Sequence, residues 1–283
     1  MPEKEPLNID LELTKLNELY QTGSQERAHI LVIGEKASGK TTLIGTMPKP
    51  VFIMSFAPGG TQAIKEQITK GEVVVDTRYE IDDMNNPTAY KQFVKNFNLY
   101  RQEGFLNRFA SFALDGLSEF GVAIKWHLMN KEGRRFPPLV DGGKSTRTTH
   151  GMQIQDWDQI INNMIMHTQQ ITSLPIHTMI TGHVNRRMDE VILTYVRALS
   201  FPGQSSGLIP DYVPEFYCLQ TGEIVDKGVK KTKRWLLTQN TGEYKCGTRM
   251  GAKERLLREE EPDITAMLKK VDFDYADKPL ILM

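Results

Sequence analysis

Eight residues, Gly34-Glu35-Lys36-Ala37-Ser38-Gly39-Lys40-Thr41, follow the spacing G-x-x-x-x-G-K-[ST], and Thr42 comes next. That spacing builds a phosphate-binding loop. Glycines at 34 and 39 let the backbone curl until its N–H groups face inward, and the following helix adds partial positive charge at its start. Lys40 would then reach the β- and γ-phosphates of a nucleotide, and the Thr41 hydroxyl would bind Mg²⁺. A chance glycine turn is the competing interpretation. The context weighs against it: the strand-like HILVIG precedes the motif, and TTLIGTM can open a helix after it.

A second metal carboxylate is expected at Asp115, which ends the apolar run Phe112-Ala113-Leu114. A carboxylate at a strand end can hold Mg²⁺ beside a phosphate loop. Asp115 also suits the N-cap of a helix from residue 116 onward, and the two roles are compatible. His183, which closes Thr181-Gly182-His183, is placed where a polar side chain senses a γ-phosphate, or where a strand-end histidine is merely hydrogen-bonded. A catalytic base is harder to place. ATP hydrolysis needs a carboxylate that orients the attacking water. The second strand ends in Ser55-Phe56-Ala57-Pro58, and Gly116 follows Asp115, so neither position offers an acid. Glu119 is the nearest alternative, although an exposed first-turn glutamate favoured by the helix dipole accounts for it more readily.

These residues need elements that hold them. Short β-branched or apolar runs at 29–34, 51–56, 72–76, 109–115 and 176–182 read as strands. Between them, Tyr90, Phe93, Val94, Phe97 and Tyr100 mark one amphipathic helix, and Trp157, Ile160, Ile161, Met164, Ile165 and Ile171 mark another. FYCLQ (216–220) and RWLLTQ (234–239) read as a late strand pair. Alternating strands and helices imply an α/β fold, a mainly parallel sheet covered on both faces, with ligands at the carboxyl ends of the strands. Asp115 lies 75 residues after Lys40, which leaves room for a strand inserted between the phosphate-loop strand and the metal strand. RecA-like and AAA-like ATPases are built that way. The expected organisation is an N-terminal helical extension (1–28), a core (29–258) and a C-terminal tail with a short helix (259–283).

Composition excludes several classes. Thirty-five Lys+Arg balance thirty-five Asp+Glu, so a histone-like polycation is ruled out and any nucleic-acid contact must be local. Two cysteines, Cys218 and Cys246, are too few for a disulfide framework or a zinc site. There is no apolar run of membrane-spanning length and no secretory signal pattern, so a soluble, cytoplasmic protein is expected. Local basic stretches do occur: residues 131–151, the arginines 186, 187 and 197, and nine Lys/Arg between 227 and 255. Lysines on a solvated edge hairpin account for much of the last group. The same cations would also suit contact with nucleic acid or with a neighbouring subunit's phosphates. Stacking aromatics nearby are few: Phe136, Tyr195, Phe201 and Trp235.

Taken in order, GEKASGKTTLIGTM, PKPVFIMSFAPGG, FALDGLSEF, ITGHV and GEYKCGTRMG resemble the phage-encoded RecA-like nucleotide-binding proteins, the P-loop core ATPases of the recombinase or single-strand-annealing type. The resemblance spans roughly residues 28–255 by motif order. It implies a RecA-like core, ATP with Mg²⁺, and action on single-stranded DNA in recombination, annealing or repair. It also implies a homo-oligomer, ring or filament, with a phage or host single-strand-binding protein as a possible partner. Expected location is the cytoplasm, that of the host for a phage protein. By position, 131–151 and 185–208 take the places of the two DNA-facing loops, and Arg249 matches a late basic element supplied in trans to the next subunit's nucleotide. Two departures stand out. Relatives often carry an acid where this chain has Ser55-Phe56-Ala57, and a lysine where it has Gly247; Lys245 could substitute for the latter. A Mg²⁺-dependent ATPase without a clear catalytic carboxylate is therefore expected. A nucleotide-gated accessory module (loader or packaging factor) and a P-loop kinase of a small molecule are the alternatives.

Overall fold

Burial on both faces is written into the first strand, β1 (His29–Gly34), all six residues of which are buried. Leu31 and Ile33 join one apolar cluster, while Ile30 and Val32 join the other. Successive side chains point to opposite faces of a strand, so such a run needs a cover on each side. The protein is described by a computed structural model covering residues 8–21, 27–131, 154–189, 194–200, 205–226, 229–250 and 255–281.

The chain forms α1 (Ile9–Gln21), β1, α2 (Lys40–Ile44), β2 (Val51–Ser55), α3 (Lys65–Thr69), β3 (Val73–Asp76), α4 (Ala89–Gln102), β4 (Ser111–Asp115) and α5 (Leu117–Lys131). Then follow α6 (Ile154–Thr172), β5 (His177–Asp189), β6 (Thr194–Leu199), α7 (Ser205–Leu208), β7 (Glu215–Asp226), β8 (Val229–Leu237), β9 (Glu259–Glu260) and α8 (Ile264–Lys270). The strands lie in the order β3-β2-β4-β5-β1-β7-β8-β9, with β6 paired to β5. From β3 to β7 every pairing is parallel; β7–β8, β8–β9 and β5–β6 are antiparallel. This is the expected architecture in its layout: a mainly parallel sheet flanked by helices, with a late antiparallel strand pair. β5 is the strand inserted between the phosphate-loop strand β1 and the Asp115 strand β4.

One face is covered by α4, α5 and α6, whose Phe93, Phe97, Phe120, Ile124, Ile160 and Met164 are buried against it. The opposite face takes Leu43 and Ile44 of α2 and Ile264, Met267 and Leu268 of α8. The boundary expected at 258/259 falls inside the sheet, since β9 pairs with β8 (Leu236↔Glu260). α8 is also pinned to the turn after α2: the Ile264 N–H donates to Thr46 Oγ1 at 2.9 Å. Residues 259–270 therefore complete the core. Most of the basic stretch expected at 131–151 lies outside the described residues, as do Phe136 and Phe201.

Candidate functional site

Parallel register brings the chemistry together. On β1 and β5, Gly34 is aligned with His183; on β4 and β5, Asp115 is aligned with Thr181. The carboxyl edges of three strands thus converge where the loop 35–39 leaves β1. The loop turns into α2 through Gly39 at φ 102°, a left-handed conformation that suits glycine. There the Arg234 guanidinium lies so near that a Cβ on Gly39 would sit 3.1 Å from its Nε. Thr41, Thr42, Asp115, Glu119, Thr181, His183, Lys36, Ala37, Gly39 and Lys40 all line one cleft of about 650 Å³. Ala57–Gly60, from the turn after β2, and Arg234 close its other sides.

Lys40 is folded onto the loop. Its Nζ donates to the carbonyls of Gly34 (3.0 Å) and Glu35 (2.9 Å), and lies 3.5 Å from His183 Nδ1. Burial pushes its pKa down, against the opposing charges of Asp115, Glu119 and Glu35. Asp115 is 2% exposed. The Thr41 hydroxyl donates to its Oδ2 at 2.7 Å, and the Thr181 hydroxyl donates to its Oδ1. Burial raises the Asp115 pKa, opposed by these two hydroxyls and by Lys40. The Gly116 N–H donates in turn to Thr181 Oγ1 at 3.1 Å. Thr181 therefore both orients the carboxylate and caps the start of α5, a role that no local motif assigns to it.

Glu119 is not an exposed first-turn residue. Its side chain is 32% exposed, and its Oε1 accepts from His183 Nε2 at 2.9 Å. The three groups form one chain: Lys40 faces Nδ1, and Nε2 faces the carboxylate. Burial pushes the Glu119 pKa up, but the His183 hydrogen bond, its own backbone N–H and the charges of His183 and Lys40 outweigh this and hold it below the usual carboxylate range. Its second oxygen, Oε2, is buried and has no partner among the described residues; neither has Ser38 Oγ.

The residues fit a divalent cation with a phosphate. Thr41 and Asp115 present a hydroxyl and a carboxylate, the hard oxygen donors that Mg²⁺ takes. The space beside them is kept open by Gly60, where a Cβ would sit 3.0 Å from Thr41 Oγ1 and 3.2 Å from Asp115 Oδ2.

Other expected residues fall elsewhere. Glu35 accepts from Arg197 Nη1 at 2.6 Å, and Arg197 also pairs with Glu243, so this arginine is held by two carboxylates. Arg249 is not in the cleft. It follows the bridge between Gly247 and Phe216, and its N–H donates to Glu215 Oε1 at 2.7 Å, near the amino end of β7. Two residues that the sequence does not single out also matter. Arg234 lies against the loop, donating from Nε to Ser38 O at 2.9 Å. Glu80 supplies a carboxylate at the end of β2, accepting from Ser55 Oγ at 2.7 Å, although it does not line the cleft. Neither carries a motif; the lysine-rich context of Arg234 points instead to a solvated edge.

No family model matches the chain, and no curated protein matches it. Among solved structures it is similar to a KaiC-like protein from the archaeon Pyrococcus horikoshii, at 12% identity, over 78% of this chain and 82% of that one, with a TM-score of 0.39. It is also similar to the flagellar accessory protein FlaH from Methanocaldococcus jannaschii, at 11% identity, over the same shares of each chain and with the same TM-score of 0.39. At that level of likeness the fold rests on the strand order, and the ligand on the cleft itself.

Proposed function

We propose that this chain is a Mg²⁺-dependent, ATP-binding RecA-like ATPase that acts on single-stranded DNA in phage recombination, annealing or repair, as a homo-oligomer. The observation that supports the nucleotide part is the convergence of Lys40, Thr41 and Asp115 at one strand edge with Glu119 and His183 beside them. The carbonyls that hold Lys40 offer it partial charge only; phosphate oxygens offer it full charge and stronger hydrogen bonds. Thr41 and Asp115 would hold Mg²⁺, which when bound neutralises charge on the β- and γ-oxygens. Glu119 lines the cleft and would serve as the carboxylate that orients an attacking water, with His183 holding it.

The DNA part is supported by β5 itself. The strand that carries Thr181 and His183 runs on into an antiparallel hairpin with β6. Arg186 and Arg197 are directly opposite across it. Glu35 and Glu243 already neutralise Arg197, so Arg186 is the cation of this pair that would meet a phosphate backbone. Arg186 is exposed and lies over the Tyr195 ring at 4.2 Å, presenting a cation and an aromatic face together. A second reading, a nucleotide-gated loader or packaging factor, is favoured by the missing acid in the cleft at the end of β2. ATP turnover with and without single-stranded DNA, for the native chain and Lys40→Ala, separates the two. Stimulation by DNA that is lost in the variant supports the first reading. Tight ATP binding with turnover indifferent to DNA replaces it with the second.

A further inference from the structure

A smaller hollow of about 260 Å³ adjoins the phosphate cleft and is lined by Thr42, Leu43, Leu219, Thr232, Arg234 and Pro262. The two spaces share Gly39, Thr42 and Arg234, so they are continuous around the start of α2. The sheet order says which part of a nucleotide each would take. Asp115 on β4 and His183 on β5 lie on one side of β1; Leu219 on β7 and Arg234 on β8 lie on the other. With the metal ligands and Glu119 on the first side, the terminal phosphate belongs there. The nucleoside must then leave the loop on the second side, over β7 and β8.

The chemistry of that hollow suits a flat heterocycle. Leu43 and Leu219 are almost fully buried and give it an apolar floor. Thr232 and Arg234 are two residues apart on β8 and share one face of the strand. The Nε hydrogen bond to Ser38 O, 2.9 Å long, holds the guanidinium against the loop. A planar cation fixed beside an apolar floor is a stacking surface for an aromatic ring.

Resting on the nucleotide-binding reading, we propose that this hollow seats the base of the bound nucleotide, with Arg234 as the wall on which the ring stacks and Thr42 and Thr232 as its polar contacts. Arg234 is thereby a specificity-determining residue for nucleosides over bare polyphosphate, and it is supplied in cis by the β7–β8 hairpin. C-terminal residues take part as well, since Pro262 stands between β9 and α8.

The test is calorimetric binding of Mg²⁺-ATP and of Mg²⁺-tripolyphosphate to the full chain. The variants are Arg234→Ala, Arg234→Lys, Thr232→Val and Lys40→Ala, each checked for an unchanged thermal transition. The native chain should bind ATP at least tenfold more tightly than tripolyphosphate. Arg234→Ala and Arg234→Lys should each lose most of that preference, weakening ATP at least fivefold more than tripolyphosphate. Thr232→Val should weaken ATP severalfold and leave tripolyphosphate alone. Equal weakening of both ligands in Arg234→Ala would make Arg234 a phosphate ligand and overturn the proposal, as would no change in either. Failure of the native chain to bind either ligand, or Lys40→Ala binding both as the native chain does, would instead remove the nucleotide reading on which the proposal rests.

Discussion

Asp115 illustrates how a buried carboxylate is kept usable. Both of its oxygens accept from hydroxyls, and those hydroxyls come from separate elements, Thr41 after β1 and Thr181 on β5. Thr181→Val removes the donor to Oδ1 and the acceptor for the Gly116 N–H together. A buried partner left unsatisfied costs about 1–3 kcal/mol, so a lower urea midpoint is expected, together with weaker Mg²⁺-ATP binding. Glu119 makes a sharper prediction. Glu119→Gln keeps an oxygen for His183 but cannot take a proton, so turnover should fall by about a hundredfold while ATP affinity stays within a factor of about two. Single-turnover phosphate release and equilibrium binding measure the two quantities separately; undiminished release would show that Glu119 is not the base.

At the scale of elements, α6 is tied to α4 through a buried histidine. His167, 2% exposed, lies 3.1 Å from Tyr90 Oη and 3.1 Å from Gln170 Oε1, and burial lowers its pKa from 6.5 to about 4. The unfolded chain therefore binds a proton near pH 6.5 that the folded chain refuses until about pH 4. The stabilisation is complete above pH 6.5 and is lost as the pH falls towards 4. Between pH 7 and pH 5 this amounts to about 2 kcal/mol per such histidine. His29 and His177, also lowered to about 4 by burial, add in the same direction. In His167→Gln the fall in denaturant stability from pH 7 to pH 5 should shrink by about 2 kcal/mol, whatever the variant's absolute stability. An unchanged slope would mean that His167 is protonated in the folded chain. The β5–β6 pair belongs to this scale as well: it continues a core strand past the cleft, so Arg186 and Arg197 are carried on an extension of the sheet.

For the whole molecule, zero net charge leaves local geometry to attract any polyanion. If single-stranded DNA lies along the β5–β6 hairpin, log K should fall with log salt by about 0.7 for each phosphate neutralised. Arg186→Ala should lower that slope by about 0.7 and weaken binding to all sequences alike. A filter-binding series across salt concentrations checks both, and a slope near zero in the native chain would remove the DNA part of the reading. Arg197 should contribute less to the slope, because Glu35 and Glu243 already pair with it.

Much of this was legible in the sequence. The strand, glycine turn and helix of 29–44, the place of Asp115 at a strand end and the α/β alternation follow from local rules: glycines where the backbone must curl and apolar runs where both faces are buried. The spacing of Lys40 and Asp115 left room for a strand between β1 and β4, but the strand that lies there, β5, comes from beyond Asp115, and that spacing does not reveal it. What escaped was pairing between distant segments. Glu119 read as a first-turn surface residue because nothing local reveals that His183, 64 positions later, meets it. Arg234 read as one cation among many on a lysine-rich edge, because only the antiparallel turn of β8 against β7 brings it onto the loop after β1. Residues 259–270 read as a tail because β9 is two residues long and gains its place only by pairing with β8. Local propensity and periodicity are properties of neighbouring residues, so the sequence determined the elements and the motif. Hydrogen-bonded register across a sheet depends on residues far apart in the chain, so only the tertiary structure decided which side chains complete the cleft.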